Sequence, residues 1–269
     1  MLTIDITGAE VLGPQGFHRD GLSLAEGLIA DAPVGRSVDL SGFRVLPGIV
    51  DVHGDGFERH LAPRRGAMTR IAEWGVSYVV FNDHLPHARL AEGRKPPRLV
   101  GQALKAQRNP EVHFQMLLDL HARRAEVPAA LDALCAELSD MGVQMGSHDD
   151  QTAAARAAWR ARGVKVSEFP ETLEAAEAAH AAGDVVILGA PNLVRGGSHK
   201  GNVSALDVVS MGMADAVASD YHYPSPRRAA LMLARSGVMD FATAWSLVSA
   251  GPARALGLDD RGVVQAGKR

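Results

Sequence analysis

His53 and Asp55 stand at the end of an apolar run that begins at Leu46, and both carry side chains that can bind a metal ion. Side chains two positions apart on a strand share a face, so this imidazole and this carboxylate can converge on one point. A site built from histidine and carboxylate suits Zn, Mn or Fe. The alternative is a structural histidine beside a capping aspartate, and one His-x-Asp pair does not decide between the two.

Several later strand-like runs also end in polar residues, among them His84, His148, Glu168 and Asp220. Parallel α/β proteins keep their active sites at the carboxyl ends of their strands, so we expect these side chains to gather there. His148 has the chemistry of a metal ligand, and Asp220 that of a metal-bound carboxylate or general base. His84 is a further functional candidate, whereas Glu168 is equally well explained as the start of a turn at Phe169.

Two carboxylates, Asp149 and Asp150, follow His148 directly. Either of them can hold the tautomer of the imidazole through a hydrogen bond. The alternative is a surface turn that caps the helix from Thr152, and we expect Asp150 to cap that helix in both cases.

A glycine-rich run over residues 190–202 follows a buried apolar stretch and is expected to open a helix. Gly196 and Gly197 are adjacent, and Arg195, His199 and Lys200 supply positive charge. This combination predicts an anion cradle at a helix N-terminus, although the Gly-Lys-Ser/Thr ending of a Walker loop is absent. The alternative is a flexible connector with solvated charges.

The composition is that of an ordinary globular chain, with 269 residues, 46% hydrophobic residues and a formal net charge of −3. This charge indicates neither a nucleic-acid nor a membrane partner, and we expect no signal peptide. The single cysteine, Cys135, allows no intrachain disulfide and fits a cytoplasmic protein. A homo-oligomer stays possible.

Strands and helices are predicted to alternate after a short N-terminal β layer, as in a parallel (β/α) barrel. We expect the β layer over residues 1–44, a metal-hydrolase domain over 45–256, and a segment over 257–269 that returns to the β layer. Six strands are predicted, whereas a closed barrel needs eight; they cover 43–52, 76–82, 143–147, 164–168, 185–189 and 214–219. Helices are expected over 68–74, 99–141 in pieces, 152–162, 172–182, 202–211, 226–236 and 240–256.

The run Leu46-Pro-Gly-Ile-Val-Asp-Val-His-Gly-Asp55 resembles the first barrel strand of the amidohydrolase superfamily, in which His-x-His is usual. The runs 82–84, 146–150, 167–172, 189–202 and 218–221 are similar to one branch, the diphosphatases of phosphonate catabolism in the carbon–phosphorus lyase pathway. The resemblance implies release of diphosphate from a phosphorylated ribose, which leaves a 5-phosphate. It implies a divalent metal ion (Zn, Mn or Fe) held by His53, Asp55, His84, His148 and Asp220. It also implies that Arg195, Gly196, Gly197, Ser198, His199 and Lys200 bind the polyphosphate.

The chain departs from this family at two places. The second and third barrel strands are absent near residues 75–77, and in relatives the third strand carries an acidic residue that completes the metal site. The chain also stops at Arg269, where relatives continue into a strand of the β layer. We therefore expect an incomplete TIM-barrel-like fold of about six βα units with slow turnover or none. Another amidohydrolase reaction (cyclic amide hydrolysis or deamination) and a phosphoanion-binding remnant are the alternative functions.

Overall fold

The computed structural model describes residues 3–54, 75–196 and 203–269. Its N-terminal part forms two small sheets, with the strand orders β5-β4-β1-β6 and β3-β2-β7. These strands are β1 (Ile4–Thr7), β2 (Glu10–Gly13), β3 (Gly16–His18), β4 (Leu22–Ala25), β5 (Leu28–Ala30), β6 (Arg36–Asp39) and β7 (Arg44–Val45). The C-terminal segment reaches this layer, because the backbone of Ile29 donates to Lys268 and accepts from Gly267. Val264 packs there against Val11.

Within the described residues a five-stranded parallel sheet follows, in the order β12-β11-β10-β9-β8. Its strands are β8 (Tyr78–Phe81), β9 (Gln144–His148), β10 (Val166–Glu168), β11 (Val185–Gly189) and β12 (Ala216–Ala218). Each strand pairs with its neighbour in the sequence, which is the order that successive βα units produce. The predicted α/β class with a parallel sheet is confirmed.

The helices connect and cover these strands. In the described residues they are α1 (His87–Ala91), α2 (Leu99–Lys105), α3 (Pro110–Ala122), α4 (Val127–Asp140), α5 (Ala153–Ala161), α6 (Leu173–Ala181), α7 (Ala190–Arg195), α8 (Ala205–Ser210), α9 (Ser225–Arg235), α10 (Phe241–Ser246) and α11 (Ala250–Ala255). No helix in this part of the chain is long and apolar enough to cross a membrane. The predicted helix 68–74 lies outside the described residues, and the one predicted over 202–211 begins only after the N-cap Ser204.

The predicted strand over 43–52 is wrong. Only Arg44–Val45 is a strand, and it pairs with β2 in the N-terminal layer. Pro47 lacks the N–H that a ladder needs, and its carbonyl accepts a hydrogen bond from the Trp245 indole instead. The chain rejoins the main sheet at Gly54, which forms an isolated parallel bridge with Asp220. His53 thereby comes to the carboxyl end of β12.

Candidate metal centre

Three side chains that can ligate a metal meet at the carboxyl ends of the strands, namely His53, His148 and Glu168. Their candidate ligand atoms all lie within 4.8 Å of one another. The strand register explains two of them, because His148 on β9 is paired directly with Glu168 on β10. Side chains at paired positions of neighbouring strands project from the same face. His53 completes the group because its carbonyl accepts a hydrogen bond from the Asp220 N–H at 2.9 Å.

The Glu168 carboxylate is fully buried and has two side-chain partners. Its Oε2 lies 2.8 Å from Nδ1 of His53, and its Oε1 accepts a 2.7 Å hydrogen bond from the Tyr78 hydroxyl. Burial, followed by the charge of Glu168, raises the pKa of Tyr78, so the phenol keeps its proton and acts as the donor. Glu168 can therefore coordinate an ion itself or hold the His53 ring in the tautomer that presents its other nitrogen.

His148 carries an unusual buried atom. Its Nδ1 is buried and has no hydrogen-bond partner among the described residues, although Asp149 Oδ1 lies 3.1 Å away. The ring lies 5.4 Å from the His53 ring, and Phe169 packs edge-on against both. A buried nitrogen without a partner costs free energy unless something binds it, and a divalent ion would do so. The donor set of two imidazoles and a carboxylate suits a divalent metal.

A buried polar network holds the strand ends in place. Asp150 Oδ2 accepts hydrogen bonds from Ser147 (2.6 Å) and Ser167 (2.9 Å), the residues that precede His148 and Glu168. Arg156, which is 1% exposed, donates to the same oxygen at 3.1 Å. The network thus ties β9 to β10 directly behind the candidate ligands.

The prediction that Asp150 caps the following helix is wrong. Thr152 is the N-cap of α5, and its hydroxyl accepts from the N–H of Ala155. Asp150 turns inward because Arg156 is buried there and needs a negative partner.

The backbone is strained where the strands end. Asp149 (φ 61°), Phe169 (φ 52°) and Asp220 (φ 53°) follow β9, β10 and β12, and none of them is glycine. Left-handed conformations at non-glycine residues are uncommon and gather at functional sites. The strain therefore lies around the three candidate ligands.

The remaining predicted site residues lie at different distances from this cluster. Asp220 is next to it, and a methyl group built on Gly189 would lie 3.7 Å from its Oδ2. His84 is exposed in the segment after β8 and is not among the three clustered ligands. Asp55 lies outside the described residues.

The predicted anion cradle is only partly described. Residues 190–195 form a short helix that was not predicted, so Arg195 and the C-cap Gly196 (φ 79°) lie at its C-terminus, and the backbone N–H of Gly196 is used by that helix. The helix that was expected to follow the glycine-rich run is α8, which has Ser204 as its N-cap. Arg195 is exposed, with its guanidinium carbon 5.0 Å from the Tyr221 ring centre. Gly197, Ser198, His199 and Lys200 lie outside the described residues.

Tyr78 was not predicted at the site, and Glu168 was left open between a site residue and the start of a turn. Glu168 ends a buried strand, but a polar residue at that position can equally be the start of a turn. The signal for Tyr78 is Gly146, because a Cβ there would lie 2.2 Å from the Tyr78 hydroxyl. Only glycine at that position lets the phenol reach Glu168.

Comparisons with known proteins give one curated relative in sequence and several solved structures with a similar fold. No family model matches the chain. Over 199 residues, or 72% of its length, the chain is 37% identical to the alpha-D-ribose 1-methylphosphonate 5-triphosphate diphosphatase of Escherichia coli (strain K12). It spans about half (52%) of that curated relative.

Solved structures share the fold at low sequence identity. A D-hydantoinase from Thermus sp. matches with a TM-score of 0.57 and 14% identity, over 98% of this chain and 84% of its own. N-acetylglucosamine-6-phosphate deacetylase from Pasteurella multocida matches with a TM-score of 0.61 and 10% identity, over 99% of this chain and 93% of its own. N-acyl-D-glutamate deacylase from Bordetella bronchiseptica, complexed with zinc and a phosphonate inhibitor, matches with a TM-score of 0.52 and 16% identity. This match covers 99% of this chain and 88% of the deacylase. The chain is related in sequence to the E. coli diphosphatase, as its motifs predicted, and it shares its fold with the hydantoinase, deacetylase and deacylase structures.

Proposed function

We propose that this chain is a metal-dependent hydrolase that releases diphosphate from alpha-D-ribose 1-methylphosphonate 5-triphosphate. The main support is the cluster of His53, His148 and Glu168 at the strand ends. The chain is also related in sequence to the diphosphatase over 72% of its length. The unpartnered Nδ1 of His148 supports a bound ion at this cluster.

The three clustered residues would hold the ion, with Asp220 and Asp55 as further ligands. A bound divalent ion would polarise a phosphoryl oxygen and lower the pKa of an attacking water. Asp220 would accept the proton of that water, because its carboxylate lies at the end of β12 beside the cluster. Tyr78 would keep Glu168 oriented by donating to its second oxygen.

The polyphosphate would lie against Arg195 and the residues that follow it. Arg195 is an exposed cation at the end of α7, on the connection that leaves β11. Guanidinium groups pair well with phosphate oxygens, and Gly196, Gly197, Ser198, His199 and Lys200 would add backbone and cationic donors. A phosphorylated ribose is therefore the substrate that we favour over an uncharged cyclic amide.

We further propose that the barrel lacks two βα units. Among the described residues β8 pairs only with β9, and Gly54 pairs only with Asp220 on the opposite side of the sheet. A missing unit would remove an acidic ligand, and a metal with one ligand fewer positions its water poorly. A phosphoanion-binding protein with little turnover is thus the second candidate, and this sheet order favours it.

Diphosphate release at saturating Mn²⁺ or Zn²⁺ tests both candidates. We expect weak triphosphate binding and slow release by the chain as it stands, and faster release by a version with the two βα units restored from a full-length relative. The His53→Ala, His148→Ala double variant is the inactive control. Equal, robust rates in both versions would contradict the proposed deletion. Activity on a cyclic amide with none on triphosphates would overturn the proposed substrate.

A further inference from the structure

An apolar cavity opens next to the β8 end of the five-stranded sheet. Its volume is about 580 Å³, within the range of about 300–1,000 Å³ that is typical of small-molecule sites. The residues that line it come from the end of β8 and the segment after it, the end of α3, the start of α4 and the C-terminal part of α5. His53, His148 and Glu168 do not line it, so it is separate from the candidate metal centre.

The walls of this cavity are largely apolar and partly open to water. Apolar side chains line it, namely Phe81, Leu120, Val127, Pro128, Leu131 and Trp159. The rings of Phe81 and Trp159 are stacked, with their centres 5.2 Å apart. Leu120 and Val127 are 44% and 48% exposed. Because apolar surface in contact with water is unfavourable, a ligand with an apolar body would gain free energy by covering these side chains.

Arg124 brings a positive charge to this cavity. Among the described residues it is the only arginine or lysine in the wall. Its Nη1 donates to the backbone carbonyl of His121 at 3.1 Å, and no carboxylate in the described part of the chain pairs with it. A guanidinium has five N–H donors in a planar arrangement that matches the two oxygens of a carboxylate. Arg124 therefore has donors left for an anionic ligand.

Asp83 also lines the cavity, but both of its carboxylate oxygens already have donors. Oδ2 lies 2.8 Å from Nε2 of His87, and Oδ1 accepts a hydrogen bond from the backbone N–H of Leu85 at 2.9 Å. The negative charge of Asp83 is thus partly compensated by its own partners, and it does not neutralise Arg124.

The apolar wall and the single arginine together define the ligand. We propose that this cavity binds a monocarboxylate with an apolar body, such as a medium-chain fatty acid, whose carboxylate pairs with Arg124. One guanidinium balances one negative charge, and the apolar wall covers the hydrocarbon part. A phosphorylated ribose has no such apolar part, so this ligand differs in kind from the substrate proposed for the metal centre.

Isothermal titration with octanoate and octan-1-ol tests this proposal, because the two probes share an apolar chain and differ in the head group. We expect one octanoate to bind per chain and octan-1-ol to bind more weakly. Arg124→Gln should weaken octanoate binding by about fivefold or more and leave octan-1-ol binding unchanged. Leu120→Gln, at an exposed wall position, should weaken the binding of both probes. Arg108→Gln is the matched control and should change neither affinity, since Arg108 is also exposed but does not line the cavity.

Circular dichroism would show that each variant is folded. The absence of saturable octanoate binding by the wild type would overturn the site, and so would an octanoate affinity that neither Arg124→Gln nor Leu120→Gln changes. An equal loss of octanoate and octan-1-ol binding in Arg124→Gln would overturn the pairing of Arg124 with a carboxylate. Because none of these residues belongs to the strand-end cluster, the outcomes are independent of the proposed hydrolase activity.

Discussion

The two ends of the five-stranded sheet are supported very differently. At the β12 end all three strand residues are buried, Gly54 bridges to Asp220, and α11 packs so closely that a Cβ on Gly251 would lie 1.9 Å from the Asp215 carbonyl oxygen. At the other end, every residue of β8 is half-buried. The candidate ligands His148 and Glu168 lie between these ends. On the β8 side, the Tyr78 hydroxyl donates a hydrogen bond to Glu168. The buried network of Asp150 and Arg156 fixes the residues that precede the two ligands.

Loss of the buried network around Arg156 should lower the free energy of unfolding more than any of the other changes. Arg156→Ala would leave Asp150 and Asp184 buried with less compensation, since Arg156 donates to both at 3.1 and 3.0 Å. Removal of one partner of a buried ion pair costs about 3–5 kcal/mol. Chemical denaturation should show a loss of this size in the free energy of unfolding, together with a loss of metal binding.

Arg123→Ala is the matched control. Arg123 pairs with Glu126, both side chains are more than half exposed, and such surface pairs contribute at most about 1 kcal/mol. Similar losses of stability in the two variants would mean that the network behind the strand ends is not a stabilising element.

A single methyl group at Gly146 should disturb the site from the β8 side. In Gly146→Ala the new Cβ would lie 2.2 Å from the Tyr78 hydroxyl, so the phenol must leave Glu168. Overpacking of this kind costs about 1–3 kcal/mol. We expect metal affinity to fall along with stability, and isothermal titration with Mn²⁺ measures the former.

The Tyr78→Phe background sharpens this test. It removes the hydroxyl, so the nearest remaining ring atom would lie 3.1 Å from the new Cβ, and Gly146→Ala should then be much milder. Gly101→Ala, where a Cβ meets no atom within 4 Å, should leave metal affinity unchanged. Equal effects of Gly146→Ala in both backgrounds would show that the Tyr78–Glu168 bond is not what the methyl group breaks.

The smallest effect is expected at a helix cap on the β12 side. The Asp240 carboxylate caps α10, and its hydrogen bonds from the Thr243 hydroxyl and backbone N–H lower its pKa from 3.8. Asp240→Ala should cost about 1 kcal/mol at neutral pH. A lowered folded-state pKa stabilises the protein above the unfolded value, so this difference should shrink as the pH falls below 3.8.

Thermal unfolding at several pH values measures this prediction, with Asp31→Ala in an exposed loop as the control. A difference between wild type and Asp240→Ala that stays constant down to pH values well below 3.8 would contradict the role of the ionised carboxylate.

The sequence predicted the parallel sheet better than it predicted the site. Alternating apolar runs and helix caps such as Thr152 and Thr172 depend on nearby residues, so most elements after residue 76 were found close to their observed bounds. The short helices α1 and α7 were not predicted, and the helix expected over 240–256 is divided into α10 and α11. The strand over 43–52 failed because its pairing depends on a distant partner, Asp220, and on the missing N–H of Pro47. His53 and His148 were predicted as ligands because each follows an apolar run, and parallel α/β proteins keep their active sites at the carboxyl ends of strands.

Glu168 and Tyr78 could not be assigned in the same way. The role of Glu168 comes from contacts with residues 115 and 90 positions away, which no local pattern encodes. The short helix α7 was also missed, because Pro191 starts it inside the run that was expected to lead to the helix at 202, and it places Arg195 at a helix C-terminus.

Metal binding at the strand-end cluster is the central claim, and one measurement tests it most directly. Elemental analysis after dialysis against Mn²⁺ would compare the wild type with the His53→Ala, His148→Ala variant and with Glu168→Gln. Two lost imidazoles, or one lost carboxylate charge, should remove most of the bound Mn²⁺, because the three residues share one ion. Equal Mn²⁺ content in all three folded proteins would contradict the metal centre and the hydrolase that depends on it.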